Sequence, residues 1–227
     1  MVALFLISVF AGLGRWQIDR MFEKQEIEEQ YQLRVRQDAQ MLPSLIDDLE
    51  SRRYQKVRVS GVWMAGKLFL LDNQVRDKRV GYNVLTPFML DDERIILIDR
   101  GWVPLVDGKR DRLPNVEFTT MDTAQVVEGQ FYIPFNGNTS ADKKWFATGA
   151  WPALILHIDF DVVEAMLGVA IERFIVRMSP TQKDGYFREW PVVSFSSDKH
   201  LGYAVQWFAL SLTVLVLLIV LNTERRR

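Results

Sequence analysis

Lys199-His200-Leu201-Gly202-Tyr203-Ala204-Val205-Gln206-Trp207-Phe208-Ala209-Leu210 opens a run that continues through Leu221 and closes with Glu224-Arg225-Arg226-Arg227. No residue from Leu201 to Leu221 carries a formal charge, and at the helical rise such a run spans roughly 30 Å, the hydrocarbon thickness of a bilayer. Residues 200–221 therefore read as a transmembrane helix. Asp198 stands where it can cap the first turn, and His200, Tyr203, Gln206 and Trp207 cluster where the helix leaves the water. At about 100° per residue, His200, Tyr203, Trp207, Leu210 and Val214 fall on one side, with Gln206 at its edge. Two readings fit that face. Either Tyr203 and Trp207 are interfacial anchors beside a solvated His200, or His200 is a ligand, since neutral imidazole is a common iron or metal donor. Periodicity alone does not separate them.

At the other end, Met1 leads into the apolar run Val2–Gly14, after which Arg15 and Trp16 mark an interface. The run is short for a span and has the length of a signal-peptide core. It lacks a basic segment before it and a small-x-small cleavage site after it, and no helix breaker stands between Arg15 and Leu42. Residues 1–14 are thus read as an uncleaved anchor with a truncated start, continuing outward as an amphipathic helix over 15–42. Leu6, Val9, Leu13, Trp16 and Arg20 share one face, and Gly12 and Gly14 would let another helix approach closely. Clustered arginines stay on the cytoplasmic side, so the tail 222–227 places both termini in the cytoplasm and a domain over 43–199 outside it. The lack of an arginine-rich, acid-poor presequence favours a bacterial inner membrane, with lipid as the surroundings of both spans.

The 227 residues leave room for one globular domain besides the spans. A formal net charge of -1 argues against a nucleic-acid partner. Without cysteine there are no disulfides and no thiolate metal sites, and two histidines are too few for a zinc site of two or three imidazoles. The sequence contains no H-E-x-x-H, G-x-S-x-G, P-loop or G-x-G-x-x-G motif. No enzyme is read from it.

Short strand-like runs fill the middle of the chain: Lys56–Trp63, Lys67–Leu71 stopping at Asp72-Asn73, Tyr82–Thr86 ended by Pro87, and Arg94–Asp99 ended by Arg100-Gly101-Trp102-Val103-Pro104. Gln125–Ile133, Ala153–Asp159 and Arg173–Met178 follow, with a short helix around Leu45–Glu50 and another over Asp161–Leu167 stopped by Gly168. Leu105–Asn115 and Asn136–Ser140 read as loops, and His157 as a structural or solvated residue. The expected fold is two transmembrane helices flanking one α+β, mainly antiparallel β, partly barrel-like extracytoplasmic domain.

Several stretches together resemble the Surfeit locus protein 1 family of cytochrome c oxidase assembly factors. They are Gly12-Leu13-Gly14-Arg15-Trp16-Gln17 with Arg20, Val57-Arg58-Val59-Ser60-Gly61 with Trp63, and Leu71-Asp72-Asn73-Gln74. Further on stand Gly81–Phe88, Asp99–Pro104, Val127-Glu128-Gly129, Gly185–Pro191 and the opening stretch at His200. Each motif alone is weak, but their order and spacing are specific. The resemblance implies an assembly factor for haem-copper oxidases that assists delivery of haem A to the catalytic subunit, with haem A synthase as a second expected partner. In bacterial members the histidine matching His200 interacts with haem, which makes His200 the candidate axial ligand of haem iron. Trp207, Tyr203, Gln206, Trp16, Gln17 and Arg20 match motif positions, and their facing and depth suggest a pocket lining: tryptophans along the ring and Arg15, Arg20 or Lys199 toward the propionates. Those cations read equally well as solvated charge at a membrane surface. The alternative function is a haem-free scaffold that holds an oxidase subunit through its outer domain.

Overall fold

The computed structural model describes residues 1–64, 66–110, 112–116, 124–134, 151–183, 185–190 and 197–224. The Asn136–Ser140 loop, Pro191 and the arginines Arg225–Arg227 lie outside the described residues. The chain divides into a helical unit, Met1–Leu33 with Pro191–Arg227, and a sheet unit, Arg34–Trp190.

Among the described residues the first unit consists of two helices, α1 (Val2–Val35) and α3 (Ser197–Glu224). Both are long and apolar enough to cross a membrane. Beyond Gly14, α1 is written in glutamate, glutamine, arginine and lysine, good helix formers without glycine or proline. Along it, Arg15 pairs with Asp19 at 3.9 Å, Arg20 with Glu23, and Gln32 donates to Glu28 at 3.0 Å. The helix stops at Val35 because the following residues are taken up by the sheet: Gln40–Met41 form strand β1 and pair with Val57 and Arg58, and the Leu42 N–H donates to the Arg58 carbonyl at 3.0 Å.

The second unit is built on strands β2 (Lys56–Trp63), β3 (Phe69–Arg76), β4 (Arg79–Leu90), β5 (Ile95–Pro104), β6 (Gln125–Tyr132), β7 (Ala153–Ile155) and β8 (Ile175–Met178), with helix α2 (Phe160–Leu167) between the last two. The sheet order is β1-β2-β6-β8-β5-β4-β3-β7, and β2 pairs with β4 as well as β6. That extra pairing, Gly61–Trp63 against Phe88–Leu90, closes β2, β6, β8, β5 and β4 into a five-stranded ring. All its pairings are antiparallel except β5 with β8. The α+β, partly barrel-like architecture expected from the strand pattern is the one observed.

Alternation along the ring strands separates two of the three hydrophobic clusters among the described residues. Val57, Val59, Phe88, Ile96, Ile98, Val127, Phe131 and Val176 form one cluster, to which every ring strand contributes, with Phe131 stacked on Phe174 at 4.3 Å. Residues of opposite parity, such as Leu85, Leu97 and Ile175, pack with Phe160, Val163 and Leu167 of α2. As expected, α2 stops at Gly168, which adopts φ 76° and donates to the Glu164 carbonyl at 2.8 Å. Asp159 caps its start, accepting from the Asp161 and Val162 N–H groups at 3.0 and 3.3 Å.

Three strands run past their expected ends. β3 passes through Asp72-Asn73 by a bulge: Asn73 takes φ 57°, the register shifts between Leu71 and Gln74, and the Asp72 carboxylate accepts from Arg110 Nε at 3.0 Å. β4 continues through Pro87, whose carbonyl accepts from the Met64 N–H at 3.0 Å and therefore faces β2. Its ring nitrogen faces the same way, so the ladder to β5 loses no donor. β5 crosses Gly101 at φ 114°, where a Cβ would stand 2.7 Å from the Phe187 carbonyl oxygen, and glycine alone fits. Conversely, β7 ends at Ile155, because the chain bends before the Asp159 cap, and the helix expected around Leu45–Glu50 is only a 3-10 turn at Glu50–Arg52.

Candidate functional site

The two long helices meet in antiparallel register along small residues. The Ser211 hydroxyl donates to the Ile7 carbonyl at 3.1 Å, and the Phe10 and Trp207 rings stack with centroids 5.7 Å apart and planes 28° from parallel. A Cβ on buried Gly14 would come within 2.8 Å of the Phe208 ring, and Ala204 is buried. One turn beyond Gly14, His200 Nδ1 lies 2.7 Å from Gln17 Oε1. The contact face of α3 is thus His200, Ala204, Trp207, Phe208 and Ser211, and that of α1 is Ile7, Phe10, Gly14 and Gln17. Small side chains admit close backbones, and the aromatic and polar residues flank them.

The expected site residues divide accordingly. His200, Trp207 and Gln17 come together on the facing surfaces of the pair. Tyr203 and Trp16 are about half exposed and Gln206 is exposed, so these three stand on other sides of their helices. Arg20 is held by Glu23 and Arg15 by Asp19, each on its own helix. The stripe that runs through Tyr203 and Leu210 is not the side that meets α1: the helix turns Ala204 and Ser211 inward, because bulky side chains cannot occupy the closest approach. Of the two glycines expected to admit a neighbour, Gly14 does so, while a Cβ at Gly12 would meet open space. Phe10, Ala204 and Ser211 were not anticipated from the sequence. The seven-residue interval between Ala204 and Ser211 is the signal that could have found the latter two.

A second polar cluster is built into the sheet unit around the Asp99-Arg100-Gly101-Trp102 stretch. The Asn83 amide donates to Asp99 Oδ2 at 2.7 Å and the Gly101 N–H to Asp99 Oδ1 at 3.1 Å. Burial pushes the Asp99 carboxyl up to about 6, although Arg177, its cross-strand partner on β8, pulls the other way. The Arg177 guanidinium lies 3.3 Å from the Tyr132 ring centroid and 5.3 Å from that of Trp190, and Arg100 lies over Trp63 and Tyr186. Trp102 is buried, and its indole N–H donates to the Gln74 carbonyl at 2.9 Å. This cluster joins β4, β5 and β8 to the Gly185–Trp190 segment.

Among the described residues, no three histidine, cysteine, aspartate or glutamate side chains gather as a metal cage. His157 lies partly buried at the bend between β7 and α2. What the helix pair offers is a single imidazole, hydrogen-bonded on one nitrogen and set on the same face as a tryptophan–phenylalanine stack. Those residues could hold a haem: His200 would supply an imidazole to its iron, and Trp207 with Phe10 would supply aromatic neighbours to its macrocycle.

Comparison with known proteins agrees with the architecture. Residues 4–212 match the SURF1 family. A SURF1-like protein of Rickettsia conorii is 23% identical over 225 residues, covering 94% of this chain and 86% of that protein. A SURF1-like protein of Rickettsia felis is 23% identical over 232 residues, covering 97% and 95%. One from Drosophila melanogaster is 25% identical over 237 residues, covering 92% of this chain and 72% of its own length. With two helices able to span a membrane on either side of a ring-closed β domain, and a family match over nearly its whole length, the chain belongs to the SURF1 family, a family of oxidase assembly factors.

Proposed function

We propose that this protein holds haem A for insertion into the catalytic subunit of a haem-copper oxidase. It is an assembly factor in this reading, with haem A as cargo, and not a catalyst. The observation that carries the reading is the His200–Gln17 contact: an imidazole at the entry of an apolar helix pair, held by a neutral amide on the facing helix. Haem A is an apolar macrocycle with a farnesyl tail and two propionates, so its carrier needs an apolar flank and an iron donor near the membrane surface. His200 supplies the donor, and Trp207 with Phe10 supplies an aromatic wall on the same face. Held through His200 alone, the iron would remain exchangeable to an acceptor, as transfer requires.

The same reading places the protein in a bacterial inner membrane with both termini cytoplasmic. The sheet unit then lies on the periplasmic side, available to the oxidase subunit and to haem A synthase. The bacterial relatives and the two apolar helices support this placement. The test is the visible absorption spectrum of the protein purified in mild detergent from cells that make haem A, beside a His200→Ala variant prepared identically. Stoichiometric haem A in the wild type and its loss in the variant are expected. A colourless wild type, or a variant with the same bound haem, would remove the ligand and leave a haem-free scaffold acting through the sheet unit.

A further inference from the structure

A neutral imidazole carries one proton on two nitrogens, and the hydrogen bond made by one nitrogen decides which is free to bind a metal. In His200 it is Nδ1 that is engaged, 2.7 Å from Gln17 Oε1. A carboxamide oxygen accepts and cannot donate, so a neutral ring engaged in this way holds its proton on Nδ1 and keeps the lone pair of Nε2. We infer that Gln17 is a positioning residue: it fixes His200 as the Nδ1–H tautomer and presents Nε2 as the iron donor. The use of that nitrogen rests on the carrier reading above, whereas the tautomer does not.

The identity of the partner matters as much as its position. A carboxylate at this place would favour the imidazolium, which has no lone pair to give. The Glu23 carboxylate, further along α1, is taken by Arg20, and the group that reaches His200 is an amide. An amide orients the ring without adding a charge. Free imidazole in water favours the opposite tautomer, with the proton on Nε2, so Gln17 acts against the default state of the side chain.

The contact also joins residues far apart in sequence on two different helices. It exists only when α1 and α3 are paired in the register set by Ser211 on Ile7 and by Gly14 beneath Phe208. The donor is therefore made ready by helix pairing. Interactions of this kind, which orient a metal-binding histidine through its other nitrogen, typically change affinity about ten- to a hundredfold.

The direct test needs no haem. The chain has two histidines, so a His157→Gln background leaves His200 as the single imidazole. In that background, nitrogen-15 histidine labelling in detergent, at a pH where the imidazole is neutral, reports the tautomer. The Nδ1–H form is expected, with a change to the Nε2–H form in Gln17→Leu and no change in Ser211→Ala, which perturbs helix contact away from His200. An Nε2–H wild type, or a Gln17→Leu variant that keeps Nδ1–H, overturns the inference. A change in Ser211→Ala equal to that in Gln17→Leu overturns it too, because the tautomer would then follow helix contact in general. With haem A as titrant, Gln17→Leu should weaken binding about ten- to a hundredfold. Undiminished binding to Gln17→Leu despite a changed tautomer would end the positioning role and spare the carrier reading. Undiminished binding to His200→Ala would end the carrier reading itself.

Discussion

Asn83 donates its amide to the Asp99 carboxylate at 2.7 Å in a part of the sheet closed to water, and Arg177 stands in cross-strand register with the same aspartate. Even so, desolvation outweighs the hydrogen bonds and the cation, and the carboxyl titrates near 6 in place of its ordinary value of 3.8. The folded state therefore binds more protons than the unfolded state between those two values. The stabilisation from the protonated form is complete below the unfolded value and is lost as pH rises through the folded one, amounting to about 3 kcal/mol at most. Unfolding of the wild type and of Asp99→Asn, followed from about pH 4 to about pH 7, should show the wild type losing stability relative to the variant as pH rises. A constant difference across that range would mean that Asp99 does not titrate there.

Helix register can be read by cross-linking, because the chain has no cysteine of its own. Ile7→Cys with Ser211→Cys should cross-link readily under mild oxidation, since the native serine already reaches the Ile7 carbonyl at 3.1 Å. Phe5→Cys with Leu212→Cys, both well exposed on their helices, should not. Efficient linking of the second pair and not the first would mean a rotated interface. Ser211→Ala alone should weaken the pair by about 0.6 kcal/mol, a typical value for such bonds within a membrane.

In the ring core, Phe131 and Phe174 are fully buried and stacked at 4.3 Å. Phe131→Ala should cost about 3–5 kcal/mol, the range for an aromatic removed from a packed interior. Chemical denaturation of the full chain in detergent would check this. A loss below about 1 kcal/mol would place the ring outside the packed density typical of protein interiors.

Gly101 combines a positive φ with a Cβ position 2.7 Å from the Phe187 carbonyl oxygen, and the Trp102 N–H donates to that oxygen at 2.7 Å. Gly101→Ala should push the Gly185–Trp190 segment away from β5. Limited proteolysis should then cut near Arg188 faster than in wild type. An unchanged cutting rate would show that the segment is held by its other contacts alone.

How much of this was legible depended on whether the signal was local. Helix α3 follows from an uncharged run, and α2 from its apolar spacing and its terminal glycine. The strands were visible as strands, but their ends were not, because Asn73, Pro87 and Gly101 look like stops until the partner strands show how a bulge, a one-sided proline and a close backbone approach let the ladder continue. Likewise, aromatic spacing drew notice to Tyr203, while the small residues that allow helix contact, Ala204 and Ser211, carry no conspicuous chemistry. Gln17 was recognisable by motif. Its partnership with His200 required the antiparallel register, which neither helix encodes alone.

Ring closure has a consequence for the order in which the chain completes itself. Among the described residues β8 is the last strand in sequence, yet it occupies the place between β5 and β6. Until Ile175–Met178 emerges, those two strands present unpaired backbone groups to one another across a gap, however well β2 to β5 have already assembled. A chain cut short between Tyr132 and Ile175 is therefore left as an open sheet with two raw edges, a target for proteolysis or for pairing with another chain, rather than a smaller version of the same domain.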